Sequence, residues 1–260
     1  MSGRDDLYRR RESAPGSFRF DEAVVDVFPD MIDRSVPGYS LVVPMIGQLA
    51  RRFVRPHSAV HDLGCSLGAV TLAVRAALLD RQDLHTARLV ATDNSEAMVS
   101  RLRGLLEELH LPILGADPPR GERPGPLPIE LVLGDIRDVP LMDASLVVLN
   151  FTLQFLDLRD RDHLLSRIAS SLGPGDALIL AEKVRFEDAG EQERMTAWHH
   201  DYKRLQGYTD LEIARKRAAL ERVLLSETEA VHRERLERSG FRRVTRWFQC
   251  FGFCAWLAER

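Results

Sequence analysis

The sequence predicts an α/β protein built on a doubly wound, mainly parallel sheet, and three observations support this prediction. Residues 59–63 begin with short strand-like steps that end in an acid, Asp62, and pass through a glycine-spaced turn, Gly64 to Gly68, directly into a helical pattern. This arrangement is typical of a first parallel strand and its crossover helix. Strand-like and helical segments then alternate along the chain, as they do in α/β folds. The uninterrupted apolar run at 145–151 suits a central strand that is buried on both faces.

The remaining strands follow in chain order from apolar or β-branched runs that end at turn residues. The last two runs flank Gly252 and predict a hairpin that closes the sheet with antiparallel strands. The fold class is therefore α/β, with a seven-stranded, mainly parallel sheet, a closing antiparallel hairpin and added helices. The predicted strands are 59–63, 87–93, 129–134, 145–151, 177–181, 242–249 and 251–258.

The 260 residues suit a single domain, 1–260, that is long enough to bury a core. Residues 1–56 precede the first strand and predict a helical lead. Residues 112–128 are rich in proline and glycine, which indicates a surface insertion. Residues 187–239 show charged helical patterns without a strand, so we expect them to form a helical cover.

Composition limits the possible partners and the compartment. The formal net charge is −3, so the chain has no basic field for binding nucleic acid directly. No apolar run approaches the ~20 residues that span a bilayer, and residues 1–11 lack the apolar core of a secretory signal. Three cysteines argue against a disulfide framework. Cys250 and Cys254 alone are too few to ligate zinc, so we expect a cytoplasmic protein without a metal.

The turn after the first strand and the end of the second strand predict a nucleoside site. Gly64, Cys65 and Ser66 form a tight turn at which a ligand can approach the backbone, and N–H groups at the helix start attract anions. The second strand ends in Asp93 and Asn94, and an acid there suits the two ribose hydroxyls. Two alternatives remain: an ordinary loop without a ligand, and an Asp93 that only caps the next helix.

Three further candidates lie at predicted strand ends and one on a turn. Asp135 and Ile136 follow the third strand, where a carboxylate can accept from an adenine amine while the apolar residue packs against the ring. The alternative is an acid that simply faces water. Asn150 lies at the tip of the fourth strand, where such sheets place ligands. Tyr39 follows a helix-breaking segment, which places an aromatic hydroxyl on a turn.

An arginine in the charged helical region is the last candidate. A capping box at 209–212 begins a helix predicted to extend to 224, and Ile213, Arg217, Leu220 and Leu224 share one of its faces. Arg217 would then lie in an apolar stripe, where a guanidinium needs an anion because an unpaired buried charge is costly. Alternatively, the stem of Arg217 packs and its charged end reaches water or a nearby glutamate.

Taken together, these segments resemble the carboxy-S-adenosyl-L-methionine synthases, bacterial enzymes of tRNA wobble-uridine modification with the class I methyltransferase fold. The resemblance extends from Phe20 to the final strands and is specific in several stretches. Those stretches are VFPDMI at 27–32, RSVPGYS at 34–40, DLGCSLGA at 62–69, GDIRD at 134–138, VLNFTLQFL at 148–156, HHD at 199–201 and WFQCF at 247–251.

The resemblance implies a role for each candidate residue. S-adenosylmethionine would be held at its methionine end by Tyr39 over the cradle of Gly64, Cys65 and Ser66. Its ribose would contact Asp93 and Asn94, its adenine Asp135 and Ile136, and Asn150 would close the site beside the fourth strand. Arg217 would bind the added carboxylate and is the implied catalytic residue.

The resemblance also implies the reaction and the partners. S-adenosylmethionine and prephenate would give carboxy-S-adenosylmethionine and phenylpyruvate, without a metal. The protein would be a homodimer that does not bind tRNA directly and that supplies a downstream tRNA carboxymethyltransferase. Two other functions remain open: an ordinary methyltransferase, which would leave S-adenosylhomocysteine, and a non-catalytic partner that binds adenosylmethionine.

Overall fold

The computed structural model of the chain describes residues 4–10, 18, 20–115 and 126–260. Most of the predicted insertion, residues 116–125, lies outside them. Ile113, which precedes residues 116–125, and Ile129, which follows them, form a parallel bridge. The helices are α1 (Leu7–Arg10), α2 (Glu22–Ser35), α3 (Tyr39–Ala50), α4 (Ala69–Leu78), α5 (Glu96–Glu108), α6 (Leu158–Ser171), α7 (Ala189–Leu205), α8 (Asp210–Leu220) and α9 (Glu229–Arg238).

The strands form one seven-stranded sheet in the order β3-β2-β1-β4-β5-β7-β6. The first five strands are parallel, and the last two pair antiparallel to their neighbours. The predicted fold class, including the closing hairpin, is therefore confirmed. The strands are β1 (Ala59–Leu63), β2 (Arg88–Asp93), β3 (Ile129–Leu133), β4 (Ala144–Asn150), β5 (Ala177–Lys183), β6 (Arg243–Cys250) and β7 (Phe253–Glu259).

Apolar side chains cover both faces of this sheet. On one face, residues of α3, α4 and α5 such as Ile46, Val74 and Leu102 pack against β1 and β4. On the other face, residues of α6 and α9 such as Leu164 and Leu236 pack against the same sheet. The central strands β4 and β5 are buried along almost their whole length, which explains their continuous apolar sequences.

The N-terminal lead packs over the carboxyl ends of the strands together with α8. Tyr8, Val24 and Met31 share an apolar cluster with Met98 of α5 and Ala219 of α8. Two boundaries differ from the sequence predictions. Tyr39 is the first residue of α3 and not a turn residue, and α8 ends at Leu220, four residues earlier than predicted.

Candidate functional site

The turn between β1 and α4 is shaped by backbone that only glycine adopts readily. Gly64 has φ +79°, and a Cβ placed there would lie 2.3 Å from Cγ2 of Thr152. The N–H groups of Gly64 and Cys65 donate to the carbonyl of Thr92, at 2.8 and 2.9 Å. These two hydrogen bonds bind the turn to β2 and do not involve the N–H groups at the start of α4, to which the anion prediction refers. The turn offers a ligand close approach to bare backbone.

Asp93 connects the first turn to the second. Its Oδ2 accepts from the N–H of Ser66 at 2.8 Å, and its Oδ1 accepts from the N–H of Ser95 at 2.9 Å. Ser95 itself is the N-cap of α5 and accepts from Met98. Burial raises the pKa of the Asp93 carboxyl, while these backbone hydrogen bonds oppose the rise. Each carboxylate oxygen has a second lone pair, so Asp93 can accept from ribose hydroxyls as well.

The end of β3 presents a carboxylate beside an apolar side chain. Arg137 binds the carboxylate of Asp135 at 2.6 Å and that of Asp160 at 2.6 Å. Hydrogen bonds from Arg137 lower the pKa of Asp135, which keeps it an acceptor suited to an amino group. Ile136 next to it is buried. This is the pairing that the adenine prediction requires, and it distinguishes Asp135 from the exposed Asp138.

Two further polar side chains, Asn150 and Tyr39, face the site. Asn150, at the tip of β4, has a buried Oδ1 with no hydrogen-bond partner among the described residues. Burial raises the pKa of the Tyr39 hydroxyl well above its ordinary value, so it stays protonated. A buried acceptor without a donor is costly unless a ligand supplies one. The unpaired Oδ1 of Asn150 therefore fits a ligand that carries a hydrogen-bond donor, as adenosylmethionine does.

These residues meet in one cavity of about 380 Å³ at the carboxyl ends of the parallel strands. Its walls are mainly aromatic and aliphatic side chains from the lead, β4 and the segments after β4 and α8. All the predicted ligand-contacting residues except Arg217 line it. They are Tyr39, Gly64, Cys65, Ser66, Asp93, Asn94, Asp135, Ile136 and Asn150.

Arg217 does not have the predicted environment, because it is exposed and lies outside the cavity lining. The buried face of α8 carries Glu212, Ile213, Lys216 and Ala219, so the helix is rotated by about one residue from the predicted stripe. Lys216 is the buried cation of this helix. Arg217 is near enough to lower the pKa of Lys183, after the larger effect of burial, so it lies beside the site.

Three lysines that the sequence analysis missed line the same cavity: Lys183 at the end of β5, Lys203 on α7 and Lys216 on α8. Lys183 could have been found by the argument that identified Asn150, because it also lies at the carboxyl end of a parallel strand. His199 also lines the cavity; its Nε2 lies 2.8 Å from the carbonyl oxygen of Ser35. Burial lowers the pKa of His199 to about 3, so its ring is neutral at pH 7.

Comparisons with known proteins agree with this geometry. A family model described as a methyltransferase domain matches residues 61–180. A carboxy-S-adenosyl-L-methionine synthase of Klebsiella pneumoniae subsp. pneumoniae is 47% identical over 261 residues, which cover 100% of this chain and 98% of that protein. The chain belongs to the carboxy-S-adenosyl-L-methionine synthase family. The family protein of Salmonella paratyphi C is also 47% identical, over 99% of this chain and 97% of its own length.

Solved structures place the carboxy-S-adenosyl-L-methionine synthase fold among the class I methyltransferases. An O-methyltransferase family protein from Burkholderia thailandensis aligns with a TM-score of 0.61 at 15% identity, over 98% of this chain and 67% of its own. Human N-acetylserotonin methyltransferase, solved in complex with SAM, aligns with a TM-score of 0.58 at 17% identity. The alignment covers 92% of this chain and 55% of the human chain. At these identities the likeness establishes the fold alone.

Family membership and fold make the chain an enzyme of the methyltransferase superfamily that binds S-adenosylmethionine. Among the described residues, no group of three or more His, Cys, Asp or Glu side chains is placed to hold a metal ion. None of the helices in the described part of the chain is long and apolar enough to cross a bilayer.

Proposed function

We propose that this protein converts S-adenosylmethionine and prephenate into carboxy-S-adenosylmethionine, phenylpyruvate and water. The observation that carries the proposal is the full-length similarity, at 47% identity, to relatives named carboxy-S-adenosyl-L-methionine synthase. The site supports it, because a single cavity combines nucleoside-binding residues with several cations. An ordinary methyl transfer from a cationic donor has no evident use for those cations.

The chemistry of the two substrates balances without a redox partner. Prephenate becomes aromatic by losing carbon dioxide and hydroxide, and the sulfonium of adenosylmethionine acidifies its own methyl group. The hydroxide leaves as water with one methyl proton, and the methyl carbon forms a bond to the released carbon dioxide. One carbon–carbon, one carbon–oxygen and one carbon–hydrogen bond break, while one carbon–carbon and one oxygen–hydrogen bond form. Because the released hydroxide takes the methyl proton, no protein base is needed in the overall balance.

In this reaction the chain binds and orients the substrates and excludes water from them. Asp93 and Asp135 hold the two ends of the nucleoside, which fixes the position of the sulfonium. The aromatic side chains of Phe28, Phe151 and Phe253 line the cavity. An apolar lining keeps water from competing for carbon dioxide and for the proton-depleted carbon.

Arg217 remains the proposed ligand of the transferred carboxylate, acting from the rim of the cavity. Arg217→Ala should weaken binding of carboxy-S-adenosylmethionine by about 1.5–3 kcal/mol, the scale of a charge-assisted hydrogen bond, and change S-adenosylmethionine binding much less. Arg217→Lys should recover part of the loss, because an ammonium cannot make paired contacts. Two calorimetric titrations per variant measure this.

The matched control is Arg222→Ala, which removes another exposed arginine from the segment after α8. It should leave both affinities unchanged. Equal losses for the two ligands in Arg217→Ala would show that Arg217 does not recognise the added carboxylate.

The proposed reaction itself is tested by mass spectrometry of the purified protein with both substrates and no tRNA. The expected product is adenosylmethionine made heavier by one carbon dioxide, formed together with phenylpyruvate. S-adenosylhomocysteine as the product would establish methyl transfer instead, and no turnover would favour a binding role. A product that forms only when tRNA is added would refute the proposed independence from nucleic acid.

We further propose that the protein is a cytoplasmic homodimer that supplies a downstream tRNA carboxymethyltransferase. Trp198, Leu205 and Leu211 expose apolar surface on α7 and α8, which supports an interface there. Light scattering at micromolar concentration should give the mass of two chains, and a monomer would refute the assembly.

A further inference from the structure

Three lysines from distant parts of the sequence line one cavity. Lys183 ends β5, Lys203 lies in the last turn of α7, and Lys216 lies in α8. Lysine is rarely removed from water without a compensating anion, because burying an unpaired ammonium is costly. Three of them around one space therefore call for a specific explanation.

The described residues supply only one carboxylate to this group. Lys216 donates to Oγ of Ser35 at 2.8 Å, and its Nζ lies 3.5 Å from Oδ2 of Asp5. The Lys183 ammonium lies 5.8 Å from the ring centroid of Phe253. Neither the Lys183 nor the Lys203 side chain has a hydrogen-bond or ion-pair partner in the described part of the chain.

The two buried arginines of the described residues are both paired with carboxylates. The completely buried Arg161 contacts Glu227 at 2.5 Å and donates to three backbone carbonyls. Arg235 shares Glu227 at 2.6 Å. Lys183 and Lys203, which lack a carboxylate partner among the described residues, thus differ from these paired arginines. Departures of this kind occur mainly at functional sites.

The lysines also interact unfavourably with one another. Burial, together with the charges of Lys216 and Lys183, lowers the pKa of Lys203 to about 7. Burial likewise lowers the pKa of Lys216 to about 8, an effect that Asp5 opposes. The lysine side of the cavity therefore carries more positive than negative charge, whereas Asp62, Asp93 and Asp135 line other parts of the same cavity. An anion that enters beside the lysines relieves both their desolvation and their mutual repulsion.

Adenosylmethionine does not neutralise this charge, because its sulfonium and ammonium outweigh its one carboxylate. We propose that Lys183, Lys203 and Lys216 form a subsite that binds a second, dicarboxylate co-substrate beside adenosylmethionine. The aromatic and aliphatic walls, including Phe28, Phe253 and Ile32, suit a co-substrate with a carbon ring. The identification of this co-substrate as the carboxyl donor rests on the proposed function; the dicarboxylate subsite does not.

The test uses Lys183→Met and Lys203→Met, which remove the charge and keep an unbranched side chain. The control is Arg204→Met, next to Lys203 in sequence but exposed and paired with Asp201 and Asp210. Full-length proteins loaded with S-adenosylhomocysteine are titrated with prephenate and, separately, with isophthalate, an unreactive ring dicarboxylate. The Kd of S-adenosylmethionine and the KM of prephenate are measured in parallel.

Each lysine variant should raise the Kd of both dicarboxylates and the KM of prephenate about tenfold or more, the effect of one charge-assisted contact. The Kd of S-adenosylmethionine should stay within about twofold, and the control should match the wild type. A rise in the Kd of S-adenosylmethionine equal to that of the dicarboxylates would overturn the subsite, because the lysines would then hold the methionine carboxylate.

The outcomes separate this subsite from the proposed reaction. Prephenate turnover with an unchanged KM in both variants overturns the subsite and leaves the reaction intact. Lysine-dependent isophthalate binding without prephenate turnover supports the subsite and refutes the reaction. Wild-type protein that binds neither dicarboxylate overturns the subsite.

Discussion

Lys203→Met should increase the free energy of unfolding of the ligand-free protein. The ammonium of Lys203 lies near two other lysines, and burial with their charges lowers its pKa to about 7 from the ordinary 10.5. The unfolded chain keeps the proton up to about pH 10.5. Protonated Lys203 therefore lowers the free energy of unfolding by its full amount below pH 7, and this destabilisation decreases as the pH rises from 7 to 10.5. The charged or titratable groups around it are Lys183, Lys216, Asp5, His199 and His200.

The size of the effect follows from the same two pKa values. Their difference corresponds to at most about 5 kcal/mol at about 1.4 kcal/mol for each pKa unit. Lys203 is only partly buried, and local rearrangement reduces the penalty, so we expect a gain of about 1–3 kcal/mol at pH 6. Methionine fills a similar volume without a charge. At pH 9 the gain should fall to roughly half, because the folded wild-type protein has then lost the proton.

Urea unfolding followed by circular dichroism at pH 6 and pH 9 measures this gain. The Arg204→Met variant should stay within about 0.5 kcal/mol of the wild type at both pH values, as exposed substitutions usually do. A gain that is equal at the two pH values would show that it comes from packing and not from charge. A loss of stability at both would refute the electrostatic reasoning.

Two further substitutions test the nucleoside site. Asp93→Ala should weaken S-adenosylmethionine binding by about 1.5–3 kcal/mol in calorimetry. Ser95→Ala removes the helix cap and the hydrogen bond from the Ser95 hydroxyl to the Phe20 carbonyl but keeps the Asp93 carboxylate, so it should lower the melting temperature and leave the affinity nearly unchanged. Gly64→Ala should lower S-adenosylmethionine affinity at least tenfold. Its Cβ would lie 2.3 Å from Thr152 in a backbone with φ +79°. A Gly64→Ala variant with wild-type affinity would show that the turn moves freely.

The strands and most of the site were predictable because they depend on local pattern and on one topological rule. Apolar runs between turn residues placed all seven strands to within a few residues. The carboxyl ends of parallel strands meet at one edge of a sheet, so Asp93, Asp135 and Asn150 had to lie near one another. Their convergence needed no knowledge of side-chain contacts.

The rotation of α8 was not predictable from its own sequence. Faces containing Ile213 with Arg217, or Ile213 with Lys216, are both compatible with helical spacing. Tertiary contacts decide between them: the ammonium of Lys216 pairs with Asp5 and donates a hydrogen bond to Ser35, which are both far away in sequence. No periodicity within the helix encodes that contact. The error in the environment of Arg217 therefore reflects a long-range ion pair and not a misread helix.

The combined charge of the substrates connects the lysine subsite to a reaction whose overall balance needs no protein base. In the proposed reaction a dianionic donor and a ligand of net positive charge enter, for a combined charge of −1. A monoanionic keto acid, a zwitterionic product of zero net charge and water leave, so the combined charge is again −1. Because the balance does not change, Lys183, Lys203 and Lys216 can stay protonated around the bound substrates throughout turnover. Cations that remain fixed can hold one carboxylate while the other is transferred, which is the task that distinguishes carboxyl transfer from methyl transfer in this fold.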